Sequence, residues 1–432
     1  MSPFLYAASG ALSLGLCAVA SATLWWMLHA WRTPEVLRAT GFTKARRQPD
    51  LSFSLIVPAR HEEAVLGATL DSLALIDHPR FEVLVVIGQD DPGTRAVAEA
   101  AAARHQGRIR VVIDHSRPKN KPRALNSALP HCRGEVVGVF DAEDEVDARL
   151  LRQVDTCFAD TGAHVVQGGV QLVNFRSSWY SLRNCLEYFF WFRSRLHLHA
   201  HHRFIPLGGN TVFVKRRVLE AVGGWDGDCL AEDCELGVRL SALGARVTVA
   251  YDPDLATREE TPGSLRELFK QRTRWNQGFL QVLRKGAWRR LPTRRQRMLA
   301  RYTLAMPFLQ AFAGVAIPVS IASMVWLRVP VLLALLAFLP AVPTLGTIAF
   351  EVAALREFCR LFYVRPRRVD YLRLVAGTFV YQLVLAGAAL RAVARELLGV
   401  RTWEKTSHVG AHRTTPIVPE IMPEPELDRV SA

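Results

Sequence analysis

The stretch EVVGVFDAED, residues 135–144, joins a valine-rich apolar run to a cluster of carboxylates at its end. The run favours a buried parallel strand, because such strands are covered by helices on both faces. Asp141 and Glu143 would then follow the carboxyl end of that strand, where open α/β sheets bind their ligands. From a turn, both carboxylates could reach one divalent cation and leave its other positions to phosphate and water. A solvated acidic turn is the alternative, and this stretch alone does not decide between the two.

The residues before this stretch alternate between strand-like and helix-like patterns. Strands are predicted at 51–57, 81–87 and 109–113, each followed by a helical pattern. Such alternation predicts a mostly parallel sheet with helices on both faces. In a sheet of this type the polar residues that follow the strands converge on one crevice. Here these residues are Glu62, Asp90, Asp91, Lys119, Lys121 and Asp141.

Composition limits the class of protein. The chain has 432 residues, more than one domain usually holds, and 50% of them are hydrophobic, which excludes a disordered protein. Its seven cysteines show no C-x-x-C spacing, so we expect reduced packing residues. Residues 197–202 carry four histidines as H-x-H-x-H-H, but no acid or cysteine completes a known zinc spacing. A loop or membrane-facing segment is therefore favoured there.

The apolar residues are concentrated at the two ends of the chain. Residues 2–31 contain no Asp, Glu, Lys or Arg and are long enough to span a bilayer. A signal peptide is the alternative, but no basic segment precedes the apolar run, so a retained transmembrane helix is favoured. Three further apolar segments at 302–327, 329–350 and 374–390 predict transmembrane or interfacial helices.

The net charge of +14 comes mostly from arginines beside these apolar segments. By the positive-inside rule, the region between the first two segments is cytoplasmic, which predicts a multi-pass protein of the inner or plasma membrane. The same rule explains the basic charge without nucleic acid as a partner. The expected organisation is a transmembrane helix at 1–31, an α/β domain at 50–298, transmembrane and interfacial helices at 299–398, and a partly disordered tail at 399–432.

Five short motifs follow one another along the chain. Together they resemble the V-P-x-x-N-E, K-x-x-A-L-N, D-x-D, T-E-D and Q-x-x-R-W motifs of family 2 glycosyltransferases, in particular the membrane-embedded cellulose, chitin and hyaluronan synthase-like group. The resemblance covers about residues 54–275 and implies a GT-A fold, a Rossmann-like α/β domain with a mostly parallel mixed sheet. The motifs are V-P-A-R-H-E at 57–62, K-P-R-A-L-N at 121–126, D-A-E at 141–143, A-E-D at 231–233 and Q-R-T-R-W at 271–275.

Several positions depart from the family's pattern. His61 replaces Asn, Glu143 replaces the second Asp of D-x-D, and Ala231 replaces Thr. Glu143 keeps an oxygen ligand, so a metal site is still expected, and the adjacent Asp144 is an alternative ligand. The second strand does not run straight into the acid pair at 90–91, so it stays open which of these acids would face the base or ribose.

The resemblance implies a role for each motif. A UDP-sugar donor presents a diphosphate leaving group, whose charge a Mg²⁺ or Mn²⁺ ion held by Asp141 and Glu143 would neutralise. An acceptor hydroxyl must lose its proton as it attacks, and Asp233, with Glu232 beside it, is the expected general base. The alternative is that these two acids only complement the dipole of their helix. The other expected contacts are to the donor for Pro58, Ala59, Glu62, Asp90, Asp91, Lys121 and Asp141, and to the acceptor for Gly209, Trp225, Gln271, Arg274 and Trp275.

The function implied by the resemblance is a membrane-embedded, inverting glycosyltransferase that adds sugars from a UDP-sugar to a growing β-linked polysaccharide. Transfer of a single sugar to a lipid or protein acceptor is the alternative, and a scaffold or sugar sensor with a decayed site is a third hypothesis. The expected partners are the donor, a glycan or lipid-linked glycan acceptor and the lipid bilayer. An accessory subunit is left open.

The segment W-E-K-T-S-H at 403–408 resembles the W-x-K-T-x-H tail of some bacterial members of the family. The resemblance places it on the cytoplasmic side, near the donor site. Three full crossings after the catalytic domain would instead put this tail outside. We therefore expect that one of the three apolar segments does not cross fully, and that the basic, amphipathic region 356–373 lies on the inner surface.

Overall fold

The central sheet contains the predicted strands. A computed structural model describes residues 3–31, 48–326, 331–406 and 408–413. The strands of this part are β1 Phe53–Ala59, β2 Phe81–Gly88, β3 Ile109–Asp114, β4 Val136–Val139, β5 Val165–Gly168, β6 Val170–Leu172, β7 Val212–Lys215, β8 Val247–Ala250 and β9 Thr257–Glu259.

Seven strands form one sheet in the order β3-β2-β1-β4-β7-β5-β8. Strand β7 is antiparallel to both of its neighbours, and the other pairs are parallel. The prediction of a mostly parallel mixed sheet is confirmed. Leu55 and Val57 pack into the hydrophobic core on one face of β1, whereas Ile56 packs into the core on the other. Both faces are covered, which is why these strands read as continuous apolar runs.

The helices of the catalytic domain cover the two faces of this sheet and position the motifs. These helices are α2 Leu66–Ala74, α3 Pro92–Arg104, α4 Lys121–Ala128, α5 Leu150–Thr161, α6 Ser181–Phe190, α7 Leu196–His201, α8 Arg216–Ala221, α9 Glu232–Ala242 and α10 Leu265–Lys285. Strands β6 and β9 form a separate parallel pair beside the sheet. A π-helical turn at Trp191–Arg195 joins α6 to α7, and 3₁₀ turns lie at Leu129–His131 and Ala287–Arg290.

The remaining helices are those of the two chain ends. They are α1 Pro3–Trp31, α11 Arg294–Leu304, α12 Met306–Trp326, α13 Val331–Phe338, α14 Ala341–Leu361 and α15 Arg368–Leu397. Within the described residues, four stretches are long and apolar enough to cross a membrane: Tyr6–His29, Met306–Ser323, Leu335–Leu361 and Arg368–Leu397. The predicted boundary at 298 falls inside α11, and residues 414–432 of the tail that was predicted to be partly disordered lie outside the described residues.

Helix α15 differs from the other apolar helices because it is joined to the catalytic domain along its whole length. Near its start Asp370 accepts a 2.8 Å bond from Arg176. Further along, the Tyr381 hydroxyl donates to Glu187 at 2.8 Å, and near its end Arg395 donates to Gln277 at 3.0 Å. The helix therefore lies along the surface of the domain, and its remaining exposed side chains are largely apolar: Leu372, Val375, Phe379, Val380 and Leu383.

Candidate active site

A single large cavity of about 1680 Å³ begins at the carboxyl ends of β1 and β4 and contains most of the predicted site residues. Its walls there come from the V-P-x-x-x-E turn, the D-A-E turn, the start of α4 and the start of α9. The carboxyl ends of adjacent parallel strands meet at one edge of a sheet, so these distant segments are brought together by topology alone.

The D-A-E turn places its three acids in different surroundings. Asp141 and Glu143 line the cavity, and the Asp141 carboxylate binds Lys121. Asp144 is fully buried, accepts a 2.8 Å bond from the amide of Asp141 and binds Asn210 at 3.0 Å. Asp144 thus shapes the turn from behind, and the structure does not bring this alternative ligand to the cavity.

The C-terminal tail completes this end of the cavity. His408 lies between two acids, with Nδ1 3.4 Å from Glu62 Oε1 and Nε2 3.2 Å from Glu143 Oε1. Lys405 donates to the carbonyl of His61 at 2.7 Å and lies 2.9 Å from Glu62 Oε1. The tail therefore lies against the predicted donor end, as the resemblance implied, and on the same side as the catalytic domain.

The ionisation of this group follows from its burial and its charges. Burial raises the pKa of the Glu143 carboxyl to about 7, against the opposing effect of His408. Burial would lower the pKa of His408, but Glu143 and Glu62 outweigh it and raise the pKa to about 9. Ligand atoms of Glu62, Glu143 and His408 all lie within 4.8 Å of one another, the arrangement of a site that can hold a metal ion.

The predicted base lies at the start of α9, opposite Gly209. Oδ1 of Asp233 accepts a 2.7 Å bond from the amide of Cys234, and the other oxygen faces the backbone of Gly209. A Cβ at Gly209 would lie 3.2 Å from Asp233 Oδ2, so a glycine keeps this approach open. Lys121 donates to the Gly209 carbonyl at 2.9 Å. The structure therefore brings Asp141, Lys121 and Asp233 into one cluster.

Burial and neighbouring charges set the protonation of this cluster. Burial raises the pKa of Glu232 to about 7 and also raises that of Asp233, while Lys121 and Arg274 act in the opposite direction. Burial disfavours the Lys121 ammonium, yet the carboxylates of Asp141, Glu232 and Asp233 outweigh it and raise its pKa. A carboxylate with a raised pKa beside a fixed cation is a common arrangement for a general base.

The Q-x-x-R-W motif lies on α10, which Ser264 caps by accepting a bond from the Glu267 amide. Gln271, Arg274 and Trp275 all line the cavity, as their i, i+3, i+4 spacing predicts. The Arg274 guanidinium lies over the ring of Trp403 at 4.5 Å, which joins this helix to the tail. Gly278 approaches Ala231 so closely that a Cβ at 278 would be 2.4 Å from the Ala231 Cβ. The small residue at 231 belongs to this tight contact.

Three predicted residues do not reach the cavity. Asp91 caps α3 by accepting a bond from the Thr94 amide at 3.2 Å, and Asp90 is half-exposed in an ion pair with Arg60. Trp225 is buried in the core, and its amide donates to Asn126 at 2.9 Å. Pro58, Ala59 and Glu62 do line the cavity, so part of the predicted donor set is in place.

The structure also adds residues that the sequence reading missed. Asp114, the last residue of β3, lines the cavity and accepts bonds from Ser116 and Ser127. Glu259, at the end of β9, lines it as well. Glu260 accepts the backbone amides of tail residues Val409, Gly410 and Ala411 at 2.6–3.1 Å. The signal for Asp114 was its place at the end of a strand, one residue beyond the predicted boundary.

The four-histidine segment is not a metal site in the described part of the chain. His199 is buried, stacks on Trp26 of α1 and lies tilted against Trp191. Burial lowers the pKa of His199 to about 3, so the ring stays neutral. Neither group of metal-ligating side chains found in the described residues includes these histidines, and His199 instead packs against α1.

The chain matches one known protein family across the catalytic-domain segments that line this cavity. A family model described as glycosyltransferase like family 2 matches residues 49–278, more than half of the chain. The chain belongs to glycosyltransferase family 2. Its relatives make glycolipids and polysaccharides. The GT-A fold that the sequence resemblance implied is confirmed.

The relatives show how far the likeness extends. The β-monoglucosyldiacylglycerol synthase of Synechocystis sp. is 30% identical over 287 residues, which is 64% of this chain and 56% of that protein. The poly-β-1,6-N-acetyl-D-glucosamine synthase of Staphylococcus epidermidis is 23% identical over 270 residues, 60% of this chain and 62% of that protein. The chain thus matches little more than half the length of these curated relatives.

Among solved structures, a mannosyltransferase from Pyrobaculum calidifontis, in complex with GDP-mannose and Mn²⁺, has a TM-score of 0.58 and 22% identity. The match covers 89% of this chain and 99% of that one. At this identity the likeness concerns the fold, and it includes the terminal helices as well as the catalytic domain.

Proposed function

We propose that this glycosyltransferase moves a sugar from a UDP-sugar to an acceptor hydroxyl in one inverting displacement. The observation that supports it most is the cluster of Asp141, Lys121 and Asp233 across one cavity, built from three motifs far apart in the sequence. In the reaction the acceptor oxygen forms a bond to the anomeric carbon as the bond from that carbon to the diphosphate oxygen breaks. The proton of the acceptor passes to a carboxylate of the protein, and the diphosphate leaves with the electron pair.

Asp233 is the proposed base. One of its oxygens is held by the Cys234 amide, which fixes the direction of the other. That oxygen faces the backbone of Gly209, and both residues line the cavity into which the acceptor hydroxyl would enter. Lys121 holds both Asp141 and the Gly209 carbonyl, so the loop at 209 and the D-A-E turn keep a constant separation. Burial raises the pKa of the Asp233 carboxyl, and Glu232 is buried beside this base.

The residues present fit a divalent metal ion. Glu143 and His408 offer an oxygen and a nitrogen, and Glu62 offers a second oxygen within the same 4.8 Å group. Carboxylate oxygens suit Mg²⁺ or Mn²⁺, and an imidazole ligand favours the softer Mn²⁺. When bound, such an ion would neutralise charge that develops on the leaving diphosphate. Asp141 was predicted as a second metal ligand and here binds Lys121 at the edge of this group.

The donor is proposed to lie between this group and the end of β3. Lys119 lines the cavity and donates to the Asp114 carbonyl at 2.5 Å, and Arg274 reaches in from the opposite wall. Both cations suit phosphate oxygens. Asp114 takes the position at the nucleotide end that the sequence assigned to Asp90 or Asp91, because neither of those lines the cavity. The scaffold hypothesis is disfavoured because a candidate base, a group that can hold a metal ion and two cations line the same cavity.

We propose that α1, α12 and the α13–α14 segment cross the membrane and that α15 lies on its inner face. Three crossings leave the tail beside the catalytic domain, where His408 contacts Glu143. This arrangement places the domain in the cytoplasm of a multi-pass protein of the inner or plasma membrane. A single cysteine introduced at Arg401, which is exposed in the tail, should be labelled only in inside-out vesicles by an impermeant maleimide. Labelling of position 401 from the outer face would contradict it.

The function is tested with the purified full chain, a panel of UDP-sugars and added Mn²⁺, by measuring UDP release and the mass of the product. Asp233→Asn should lower the turnover number by roughly 100- to 10,000-fold without changing donor affinity, because only proton removal is lost. Asp228→Asn, an exposed acid in the loop before α9, is the matched control and should keep full activity. Asp233→Asn protein with wild-type turnover would refute the base, and no UDP release from any donor would refute the function.

A further inference from the structure

The cavity continues beyond the catalytic acids into a space between the terminal helices. Its volume of about 1680 Å³ exceeds the roughly 300–1,000 Å³ of typical small-molecule sites, so a nucleotide-sugar would fill only part of it. Side chains of α1, α12, α14 and α15 line the rest, among them Val19, Ala313, Ile348 and Leu383. A second ligand therefore has a place in the same cavity, in contact with helices that are apolar enough for a bilayer.

The walls of this second part are suited to hydrocarbon. Among the described lining residues that the four helices contribute, Glu351 carries the only charge, and it is paired with Arg183 at 2.9 Å. The hydroxyls of Thr23, Thr344 and Thr347 donate to carbonyls of their own helices at 2.8–3.0 Å. These three hydroxyl groups therefore donate their hydrogen bonds to the backbone and not into the cavity. Apart from the carboxamides of Gln310 and Gln382, the side chains of these four helices offer few hydrogen-bond partners to the hydroxyls of a polysaccharide.

The space is also open towards the surroundings of the helices. Ile317 and Ile321 of α12 and Phe379 and Leu383 of α15 line the cavity, yet they are 43–64% exposed. Residues that face a cavity and the outside at once mark the edge of an opening. The opening between α12 and α15 therefore leads sideways to where lipid lies, beside the apolar exposed face of α15.

A cationic group lies at the junction of the two parts. Arg183, Arg195, Arg272, Glu187 and Glu351 line the cavity there, three positive charges against two negative. Arg183 is paired with Glu351 and Arg272 with Glu187. Arg195 has no ion pair or side-chain hydrogen bond among the described residues, and its Nε is buried without a partner. It lies in the π-helical turn beside α1, and such turns are frequent at functional sites.

We propose that the acceptor is a phosphate-bearing membrane lipid with a free hydroxyl beyond its phosphate. Its acyl chains lie in the opening between α12 and α15, its phosphate binds Arg195, and its hydroxyl reaches Asp233. The Arg195 guanidinium has a buried Nε and no ion pair within the described part of the chain, and a lipid phosphate supplies both a counter-charge and a strong hydrogen bond. The inference rests on the proposed transfer reaction, which supplies the base and the leaving group.

The test uses the purified full chain in phosphatidylcholine vesicles with a labelled donor from which it releases UDP. Separate vesicles also contain phosphatidylglycerol, which has a phosphate and a hydroxyl, diacylglycerol, which has only the hydroxyl, or phosphatidic acid, which has only the phosphate. The expected result is label in the lipid extract with phosphatidylglycerol alone, one sugar per lipid by mass. Equal labelling of diacylglycerol, or label in a water-soluble polymer, would overturn the proposal.

Two pairs of variants locate the binding. Arg195→Gln should raise the KM for phosphatidylglycerol by roughly 10- to 100-fold and leave the KM for the donor unchanged, because one charged hydrogen bond is lost. Arg193→Gln, whose arginine pairs with Glu357 and does not line the cavity, is its control. Ile317→Trp should block lipid transfer but not donor hydrolysis, whereas Val315→Trp, on the outer face of the same helix, should change neither.

The outcomes separate this proposal from the proposed function. Release of UDP without labelled lipid in any vesicle would overturn the lipid acceptor and leave the transferase reaction intact. Absence of UDP release in every vesicle would count against the reaction itself. An Arg195→Gln variant with an unchanged KM for phosphatidylglycerol, but normal folding and donor hydrolysis, would remove the phosphate contact.

Discussion

The cavity has a charged end at the carboxyl ends of β1 and β4, where the charged side chains form ion pairs with one another. At its other end, between α1, α12, α14 and α15, the walls are mostly apolar, and one arginine has no ion pair among the described residues. Lys121 is bound by Asp141, and His408 lies between Glu62 and Glu143. At the other end only Arg195 lacks such a partner among the described residues. A small, highly charged donor suits the first arrangement. An amphiphile with one charge and a long apolar part suits the second.

In the proposed reaction, the difference means that the two substrates are recognised by different parts of the fold. The donor end is built from strand ends and short motifs, so single residues decide it. The acceptor end is built from the packing of α1, α12, α14 and α15, so no short motif describes it. Synthases of a glycolipid and of a polysaccharide are both found among the relatives of this chain.

The largest effect on activity is expected from removing the metal ion proposed at the charged end of the cavity. Chelation should lower transfer by at least roughly 100-fold, because metal stabilisation of a leaving diphosphate is worth several kcal/mol. Mn²⁺ should restore it. His408→Gln should raise the Mn²⁺ concentration needed for half-maximal activity by roughly 10- to 100-fold, as loss of one ligand contact predicts.

Mn²⁺ binding to the same variants can be followed by electron paramagnetic resonance, which does not depend on turnover. His412→Gln is the matched control, because this buried histidine is close in sequence but outside the ligand group. Full activity in the presence of excess chelator would show that the group of Glu62, Glu143 and His408 has another role.

A smaller effect is expected from loosening the tail. Glu260 holds three tail amides, so Glu260→Gln should free residues 409–411 and with them His408. We expect a roughly tenfold loss of activity, the size of one weakened charge-assisted hydrogen bond. Limited proteolysis should then cut near residue 400 sooner than in the wild type. Glu99→Gln changes an exposed acid and should alter neither measurement. A freed tail with undiminished activity would show that His408 is dispensable.

The charged end could be predicted from sequence because its residues follow strands whose apolar pattern is unambiguous. The D-A-E turn was found in this way, whereas Asp233 was found from the resemblance of A-E-D to T-E-D at the start of a predicted helix. The sequence could not show that Trp225 is buried by its contact with Asn126, because an aromatic residue after Gly-Gly fits a sugar platform and a core equally well. It also could not show that α15 lies along the domain, since its composition alone fits a membrane span.

The smallest expected effects separate two acids that the sequence could not distinguish. Both Asp91 and Asp114 lie at strand ends, but only Asp114 lines the cavity, whereas Asp91 caps α3. Asp91→Ala should lower the free energy of unfolding by about 1 kcal/mol, the usual cost of a lost cap, with donor KM unchanged. Asp114→Asn should raise the donor KM by a few-fold. It should change stability little, because the Ser116 amide and the Ser127 hydroxyl, which donate to Asp114, can still donate to the amide oxygen of Asn. Isothermal denaturation and donor titration measure the two quantities separately. If Asp91→Ala also raised donor KM while Asp114→Asn did not, the nucleotide would lie over the start of α3, and the boundary of the charged end would have to be moved there.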